Sequence, residues 1–104
     1  MDRPPTRFEV APSGGIAVIA VEGDLDSDSA PELRAMLSRE FDRDHAVIVD
    51  LAHCPFLDSV GLGVLVYGWK TADGSGHPFQ LRNVGQYPQR VLDLVGLSGL
   101  IPVA

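Results

Sequence analysis

The sequence has few of the features that mark secreted, membrane-spanning or nucleic-acid-binding proteins. A single cysteine, Cys54, stands among 104 residues, so no internal disulfide can form, and a reducing compartment is indicated. No apolar run reaches the roughly 20 residues that a transmembrane helix needs. The first ten residues lack the basic-then-apolar pattern of a signal peptide. These absences predict a cytoplasmic protein that does not enter a membrane.

Basic residues are also scarce. Eight Lys and Arg stand against 14 Asp and Glu, which gives a formal net charge of −6. Such a charge disfavours nucleic acid and anionic membranes as partners and favours a basic protein. The sequence is 45% hydrophobic and 21% charged, as in an ordinary globular domain. Because no linker, repeat or low-complexity tract interrupts it, residues 1–104 are predicted to form one domain.

The order of the hydrophobic patterns predicts an α/β fold. Residues 16–22 and 46–51 are nearly continuous apolar runs, typical of strands covered on both faces. Residues 7–11 alternate weakly before a Pro-Ser-Gly-Gly turn, which indicates an edge strand of a hairpin. The first helix is predicted to follow Ser29 and to end at Phe41, and two more helices are predicted over about 60–72 and over 88–95. Further strands are predicted over 79–84 and 100–103. The predicted order is β-β-α-β-α-β-α, with a mixed, mostly parallel sheet of four to five strands on which the helices pack.

Local signals refine the first two helices. Ser29 and Glu32 fit the S-x-x-E capping box, which predicts that the first helix starts there. In the second helix, Gly61, Gly63 and Gly68 predict a close approach to neighbouring elements. Each glycine costs a helix about 1 kcal/mol relative to alanine, so packing must compensate.

Ser59 has the most informative position in the chain. It follows Asp58 where an apolar strand has ended, a short turn has passed and a helix begins. Free backbone N–H groups and the positive end of the helix dipole favour anions at such a place. Two interpretations stay open: an ordinary helix N-cap, or a phosphoacceptor. A catalytic nucleophile is disfavoured, because there is no G-x-S-x-G elbow and no histidine placed as a base.

Residues 22–32 hold five carboxylates and no basic side chain. Helix-dipole complementation explains Asp28 and Glu32, whereas Asp24 and Asp26 follow directly after a predicted strand. If the strands predicted over 16–22 and 46–51 are parallel neighbours, this loop and the loop that carries Asp58 lie at the same edge of the sheet. An acidic surface for a basic partner is then predicted, beside the alternative of solvated carboxylates that contribute little to stability. A calcium loop is excluded by the missing glycine and the missing Glu at loop position 12.

Metal chemistry is not indicated by the sequence. His45, His53, His77 and Cys54 lie at no metal-ligand spacing. The pair Gly61 and Gly63 lies inside the second predicted helix, and the pair Gly74 and Gly76 lies at its end. A nucleotide-binding loop that cradles phosphates precedes its helix, so neither pair indicates a nucleotide site. No catalytic residue, metal site or cofactor is therefore predicted.

Residues 56–65, with the sequence FLDSVGLGVL, resemble the signature segment of the STAS domain. More narrowly, they resemble the bacterial anti-sigma factor antagonists, in which an apolar pair precedes Asp-Ser, a small residue and Gly-Leu-Gly. Supporting matches follow in the family's order along the whole chain, over residues 23–26, 30–33, 49–51 and 91–97.

The resemblance implies a role in partner switching. An unphosphorylated antagonist binds an anti-sigma factor and frees its sigma factor. The anti-sigma factor is also an ATP-dependent serine kinase that inactivates the antagonist, and a PP2C-type phosphatase removes the phosphate. The family's acceptor serine corresponds to Ser59. The implied partner-binding surface consists of Asp24, Asp26, Asp58, Ser59, Val60 and Gly61.

One departure and two alternatives accompany the resemblance. Val60 stands where the family usually carries a second hydroxyl residue, which leaves the acceptor itself in place. Some STAS domains keep the fold and lose the switch, so a non-switching interaction or scaffold module is one alternative. A STAS domain that binds a small ligand is the other.

Overall fold

The computed structural model describes residues 4–76 and 78–104 and shows an α/β fold. The predicted fold class and element order are both confirmed. The elements are β1 (Arg7–Ser13), β2 (Ile16–Glu22), α1 (Ala30–Asp42), β3 (Ala46–His53), α2 (Ser59–Ser75), β4 (Phe79–Arg82) and α3 (Gln86–Leu94).

One mixed sheet of four strands organises the fold, in the order β1-β2-β3-β4. Strands β1 and β2 are antiparallel, while β2, β3 and β4 run parallel. The predicted strand over 100–103 is reduced to an isolated bridge between Leu81 and Val103. Because parallel strands end at the same edge of a sheet, the loops that follow β2 and β3 open side by side.

The hairpin turn between β1 and β2 is tighter than the sequence predicted. Pro12 and Ser13 still belong to β1, and only Gly14 and Gly15 connect the strands. Their φ angles are +57° and +82°, and a two-residue type I′ turn requires positive values at both positions. Glycine adopts them without steric cost.

The helices cover one face of the sheet. In β2 and β3 buried residues alternate with half-buried ones. The core joins Ile19 and Val49 to Leu33 and Leu37 of α1 and Leu65 of α2. The prediction that both strands are covered on both faces is therefore wrong. An apolar residue on the open face is compatible with partial exposure, so a continuous apolar run does not require a second layer.

The three glycines of α2 differ in their surroundings. A Cβ added at Gly61 would lie 2.2 Å from the carbonyl oxygen of Leu25, and one at Gly68 would lie 2.7 Å from the Phe79 ring. At Gly63 an added Cβ would meet nothing within 4 Å among the described atoms considered. Close approach is thus confirmed for Gly61 and Gly68 and wrong for Gly63.

A polar network joins the ends of β3 and β4. Asp50 accepts hydrogen bonds from the Arg82 guanidinium (2.9 Å), the Asn83 amide (3.2 Å) and the backbone N–H of Ala52 (2.9 Å). Burial acts to raise the pKa of Asp50, but these hydrogen bonds and the Arg82 charge outweigh it, and the pKa is lowered. The carboxylate is therefore charged at neutral pH.

Within the described ranges, no helix has both the length and the apolar character needed to cross a bilayer.

Candidate functional site

Two loops at the carboxyl edge of the sheet are bonded to each other. The backbone N–H of Leu25 donates to the carbonyl oxygen of Phe56 (3.0 Å), and that of Asp58 donates to the carbonyl oxygen of Leu25 (3.2 Å). Leu25 and Leu57 form an isolated parallel bridge, and both side chains are buried. The loop that carries Asp26 and the loop that carries Asp58 therefore share one edge, as the strand topology predicted.

Helix α2 begins at Ser59, and its N-cap is Asp58. The backbone of Asp58 is extended, and its Oδ1 accepts a hydrogen bond from the N–H of Gly61 at 2.9 Å. Ser59 is the first helical residue and is exposed. The predicted position of Ser59 is thus confirmed, while the interpretation of Ser59 as the N-cap is wrong. Because Asp58 supplies the cap, the Ser59 hydroxyl is not required for it.

Asp26 has a structural role that the sequence did not reveal. Its Oδ1 accepts hydrogen bonds from the N–H groups of Asp28 (3.0 Å) and Ser29 (3.2 Å). The Ser29 hydroxyl donates to the carbonyl oxygen of Asp24 at 2.7 Å and caps no N–H of α1. The predicted capping box of Ser29 and Glu32 is therefore wrong. The box does not form because the backbone of Ser29 already has helical φ and ψ angles, whereas the backbone of a capping serine is normally extended.

Replacing Asp26 is expected to separate this structural role from its charge. Asp26→Ala removes the oxygen that accepts both hydrogen bonds and should lower the free energy of unfolding by about 1 kcal/mol. Asp26→Asn keeps an oxygen that can accept both bonds and should lose less. Urea unfolding of the two variants tests this, with Asp28→Ala, an exposed neighbour, as the control. Equal losses for Asp26→Ala and Asp28→Ala would show that Asp26 is only a solvated carboxylate.

Residues 22–32, which we call the acidic loop, form one wall of an open cleft of about 790 Å³. Residues 4–6 of the N-terminal segment form the other wall, and the Thr6 hydroxyl donates to the carbonyl oxygen of Asp24. Among the residues that the structure describes, the charged side chains lining the cleft all carry carboxylates: Glu22, Asp24, Asp26, Asp28 and Glu32. Their summed field favours a cationic group over an anionic one.

The six predicted partner-binding residues do not share the same accessibility. Asp24, Asp26 and Asp58 are partly exposed, and Ser59 and Val60 are exposed. The sixth, Gly61, is buried and faces the Leu25 carbonyl. Gly61 therefore does not fit a direct partner contact; its effect on the surface is to let the Leu25 loop pack against α2.

One aromatic contact at this edge was missed from the sequence. Phe56 stacks on Tyr87 of α3, with ring centroids 5.3 Å apart and an interplanar angle of 19°. Both side chains remain exposed to solvent. Tyr87 belongs to no motif and precedes the apolar residues that predicted the third helix, which are Val91, Leu92, Leu94 and Val95. Nothing else in the sequence indicates that Tyr87 contacts Phe56.

Cysteine and metal chemistry are disfavoured at this edge. Cys54 is buried and its Sγ donates to the carbonyl oxygen of Phe56 at 3.3 Å. Burial raises the pKa of the Cys54 thiol, so it stays protonated and is a poor nucleophile. In the part of the chain that the structure describes, no three His, Cys, Asp or Glu residues are grouped to hold a metal. His77 lies outside the described residues.

Comparison with known proteins gives consistent matches. The family described as "Mlab, STAS domain" matches residues 8–102. The anti-sigma F factor antagonist of Paenibacillus polymyxa is 24% identical over 93% of this chain and 85% of its own length. The anti-sigma-B factor antagonist of Staphylococcus epidermidis is 31% identical over 82% of this chain and 80% of its own length. A crystal structure of an anti-sigma factor antagonist from Mycobacterium paratuberculosis has a TM-score of 0.87 at 27% identity, covering 99% of this chain and 89% of that one.

Proposed function

Since the chain belongs to the STAS domain family of anti-sigma factor antagonists, we propose that it binds an anti-sigma factor and is switched off by phosphorylation at Ser59. The observation that carries this proposal is the exposed Ser59 at the first position of α2. The neighbouring Asp58 caps the helix, so the hydroxyl is available for chemistry without loss of the cap. The protein acts in the cytoplasm with its partner.

The helix end suits the phosphorylated product. The partner kinase transfers the γ-phosphoryl group of ATP to Ser59 Oγ: the new O–P bond forms, the bond to ADP breaks, and the hydroxyl proton is released. The phosphoserine carries about −1.5 to −2 charges at neutral pH. The dipole of α2 and its first backbone N–H groups stabilise that charge. A PP2C-type phosphatase reverses the step: water attacks the phosphorus, the O–P bond breaks, inorganic phosphate leaves and the Ser59 hydroxyl is restored.

Phosphorylation prevents binding without any rearrangement of this domain. In the complex the phosphate would either lose its hydration in a packed interface or lie against another charge of the same sign. Next to Ser59 the surface carries the Asp58 carboxylate, and the loop that is bonded to this one carries the acidic cleft. The cleft in turn gives the unphosphorylated form a site for basic side chains of the anti-sigma factor.

A phosphorylation assay is the direct test of this proposal. The purified protein is incubated with ATP and each candidate anti-sigma kinase from the same genome, then analysed by mass spectrometry. The wild type is expected to gain one phosphate on Ser59. Ser59→Ala is expected to gain none and to keep its affinity for the kinase. Ser27→Ala, which removes another exposed hydroxyl, should be phosphorylated like the wild type.

The same assay separates the two alternatives. A non-switching interaction module would bind its partner and gain no phosphate on Ser59. A small-ligand carrier would use the cleft of about 790 Å³, but the carboxylates along that cleft repel nucleotide phosphates and anionic lipid headgroups. Phosphate on Ser27, or on no residue with any kinase that binds, would contradict the switch.

A further inference from the structure

A stacked aromatic pair extends the Ser59 surface onto α3. Phe56 precedes Ser59 on the same loop, and Tyr87 lies in the first turn of α3. The rings stack with centroids 5.3 Å apart, yet 37% of Phe56 and 45% of Tyr87 remain exposed. Aromatic side chains contribute most when they are buried, so this pair, one ring of which lies three residues before Ser59 in the sequence, leaves apolar area uncovered.

Val60 adds a third exposed apolar side chain. It directly follows Ser59 and is 46% exposed. Ser59 therefore lies in the chain between two accessible apolar residues, Phe56 and Val60, and the first of them connects to Tyr87. Phe56 is linked to Tyr87 by the ring stack and to Val60 by four residues of chain, and we call these three residues the aromatic patch. Exposed apolar groups bordered by polar ones are typical of interaction sites, and tyrosine is enriched among the residues that dominate binding energy.

The backbone under the patch is held in place. The carbonyl oxygen of Phe56 accepts hydrogen bonds from the N–H of Leu25 (3.0 Å) and from Cys54 Sγ (3.3 Å). On the other side, Pro88 and Leu92 anchor α3 by being buried. A partner would meet rings that are already positioned, so little conformational entropy would be lost on binding.

We propose that the aromatic patch, Phe56, Val60 and Tyr87, is the apolar anchor of the anti-sigma factor interface, which therefore includes α3. This inference rests on the proposed function. The occupant is a surface of the anti-sigma factor that presents an apolar side chain to the patch and basic side chains to the acidic cleft. The hydrogen bond between Leu25 and Phe56 joins the two halves of this interface.

Charge argues against a second copy of this chain as the occupant. A twofold dimer brings the same surface of both copies together. Each copy carries a net charge of −6, including the five carboxylates of its cleft, so the two copies repel each other. Like charges at an interface oppose association, whereas a basic partner meets no such repulsion.

The patch and Ser59 then have separate roles. The patch contributes affinity in the encounter with the kinase, and Ser59 accepts the phosphoryl group. Removing Tyr87 is therefore expected to raise the KM for this protein as a kinase substrate and to leave kcat unchanged. A structural defect at the acceptor would instead lower kcat.

Tyr87→Ala tests the inference by titration calorimetry against the anti-sigma factor that phosphorylates the wild type. Its affinity is expected to fall about 10-fold or more. Tyr87→Phe keeps the stacked ring and should bind nearly as the wild type does. The control is Val10→Ala, because Val10 is an exposed apolar residue (40%) on β1, at the opposite edge of the sheet from β4; its affinity should not change.

Two results would overturn the inference in different ways. If Tyr87→Ala binds within about twofold of the wild type while Ser59→Asp still weakens binding, the interface exists but does not include α3. If the wild type binds no anti-sigma factor, the proposed function fails and the inference fails with it. Melting curves of the variants show whether any loss of affinity reflects unfolding.

Discussion

Ser59→Asp is expected to weaken binding to the anti-sigma factor by about 100-fold or more. The substitution places a carboxylate at the first position of α2, where the wild type has an exposed hydroxyl. If the partner packs over this position, the charge is buried without a counter-ion, which costs about 3 kcal/mol or more. Since each 1.4 kcal/mol is about tenfold in affinity, the expected loss follows directly.

Folding stability is expected to respond in the opposite direction. A carboxylate in the first turn interacts favourably with the helix dipole, by about 0.3–1 kcal/mol. The cap itself is unaffected because Asp58, and not Ser59, accepts the hydrogen bond from Gly61. Ser59→Asp should therefore melt at or slightly above the wild-type temperature while it binds far more weakly. Titration calorimetry and thermal unfolding of the same sample measure both quantities.

Ser27→Asp is the matched control for total charge. Ser27 is exposed in the acidic loop, so the substitution changes the net charge by the same amount at another place. Only a small effect on affinity is expected, mainly through the association rate. If Ser27→Asp and Ser59→Asp weaken binding equally, the effect depends on overall charge and not on a packed contact at Ser59.

The order of helices and strands was predictable because the local sequence pattern of each segment indicates whether it forms a helix or a strand. Near-continuous apolar runs, the glycine pair before β2 and the spacing of apolar residues in the helices agree with one another. The one-sidedness of the sheet was not predictable from these runs. Val18 and Ile48 are apolar but only half-buried, and nothing in their own segments shows that the helices lie on the other face. That depends on the crossovers, which involve the whole chain.

The site was predictable in position and less so in detail. The strand-turn-helix sequence placed Ser59 at the start of α2, but Asp58 and Ser59 are both good capping residues. Which of them caps depends on where the backbone is extended, and the Leu25 carbonyl holds the N–H of Asp58 there. The contact between Phe56 and Tyr87 likewise joins segments far apart in sequence. Both features arise from tertiary contacts, which local patterns do not contain.

Gly61→Ala is expected to destabilise the fold. The added Cβ would lie 2.2 Å from the carbonyl oxygen of Leu25 and 2.9 Å from its carbonyl carbon. These are backbone atoms, so no rotamer change can relieve the overlap, and the loop must move. Overpacking costs about 1–3 kcal/mol in the free energy of unfolding; because the clash is with backbone atoms, we expect the upper end of that range, which exceeds the gain in helix propensity of about 1 kcal/mol.

Gly63→Ala, two positions further along the same helix, is expected to have the opposite sign. An added Cβ there would meet nothing within 4 Å among the described atoms considered, so only the helix propensity changes, and stability should rise by up to about 1 kcal/mol. Urea unfolding of both variants measures the difference, and equal stabilities would contradict the close packing of Leu25 on α2. The same loop connects to Asp58 and Phe56. Gly61→Ala should therefore also weaken binding to the anti-sigma factor, although Gly61 itself is buried, whereas Gly63→Ala should leave that affinity unchanged.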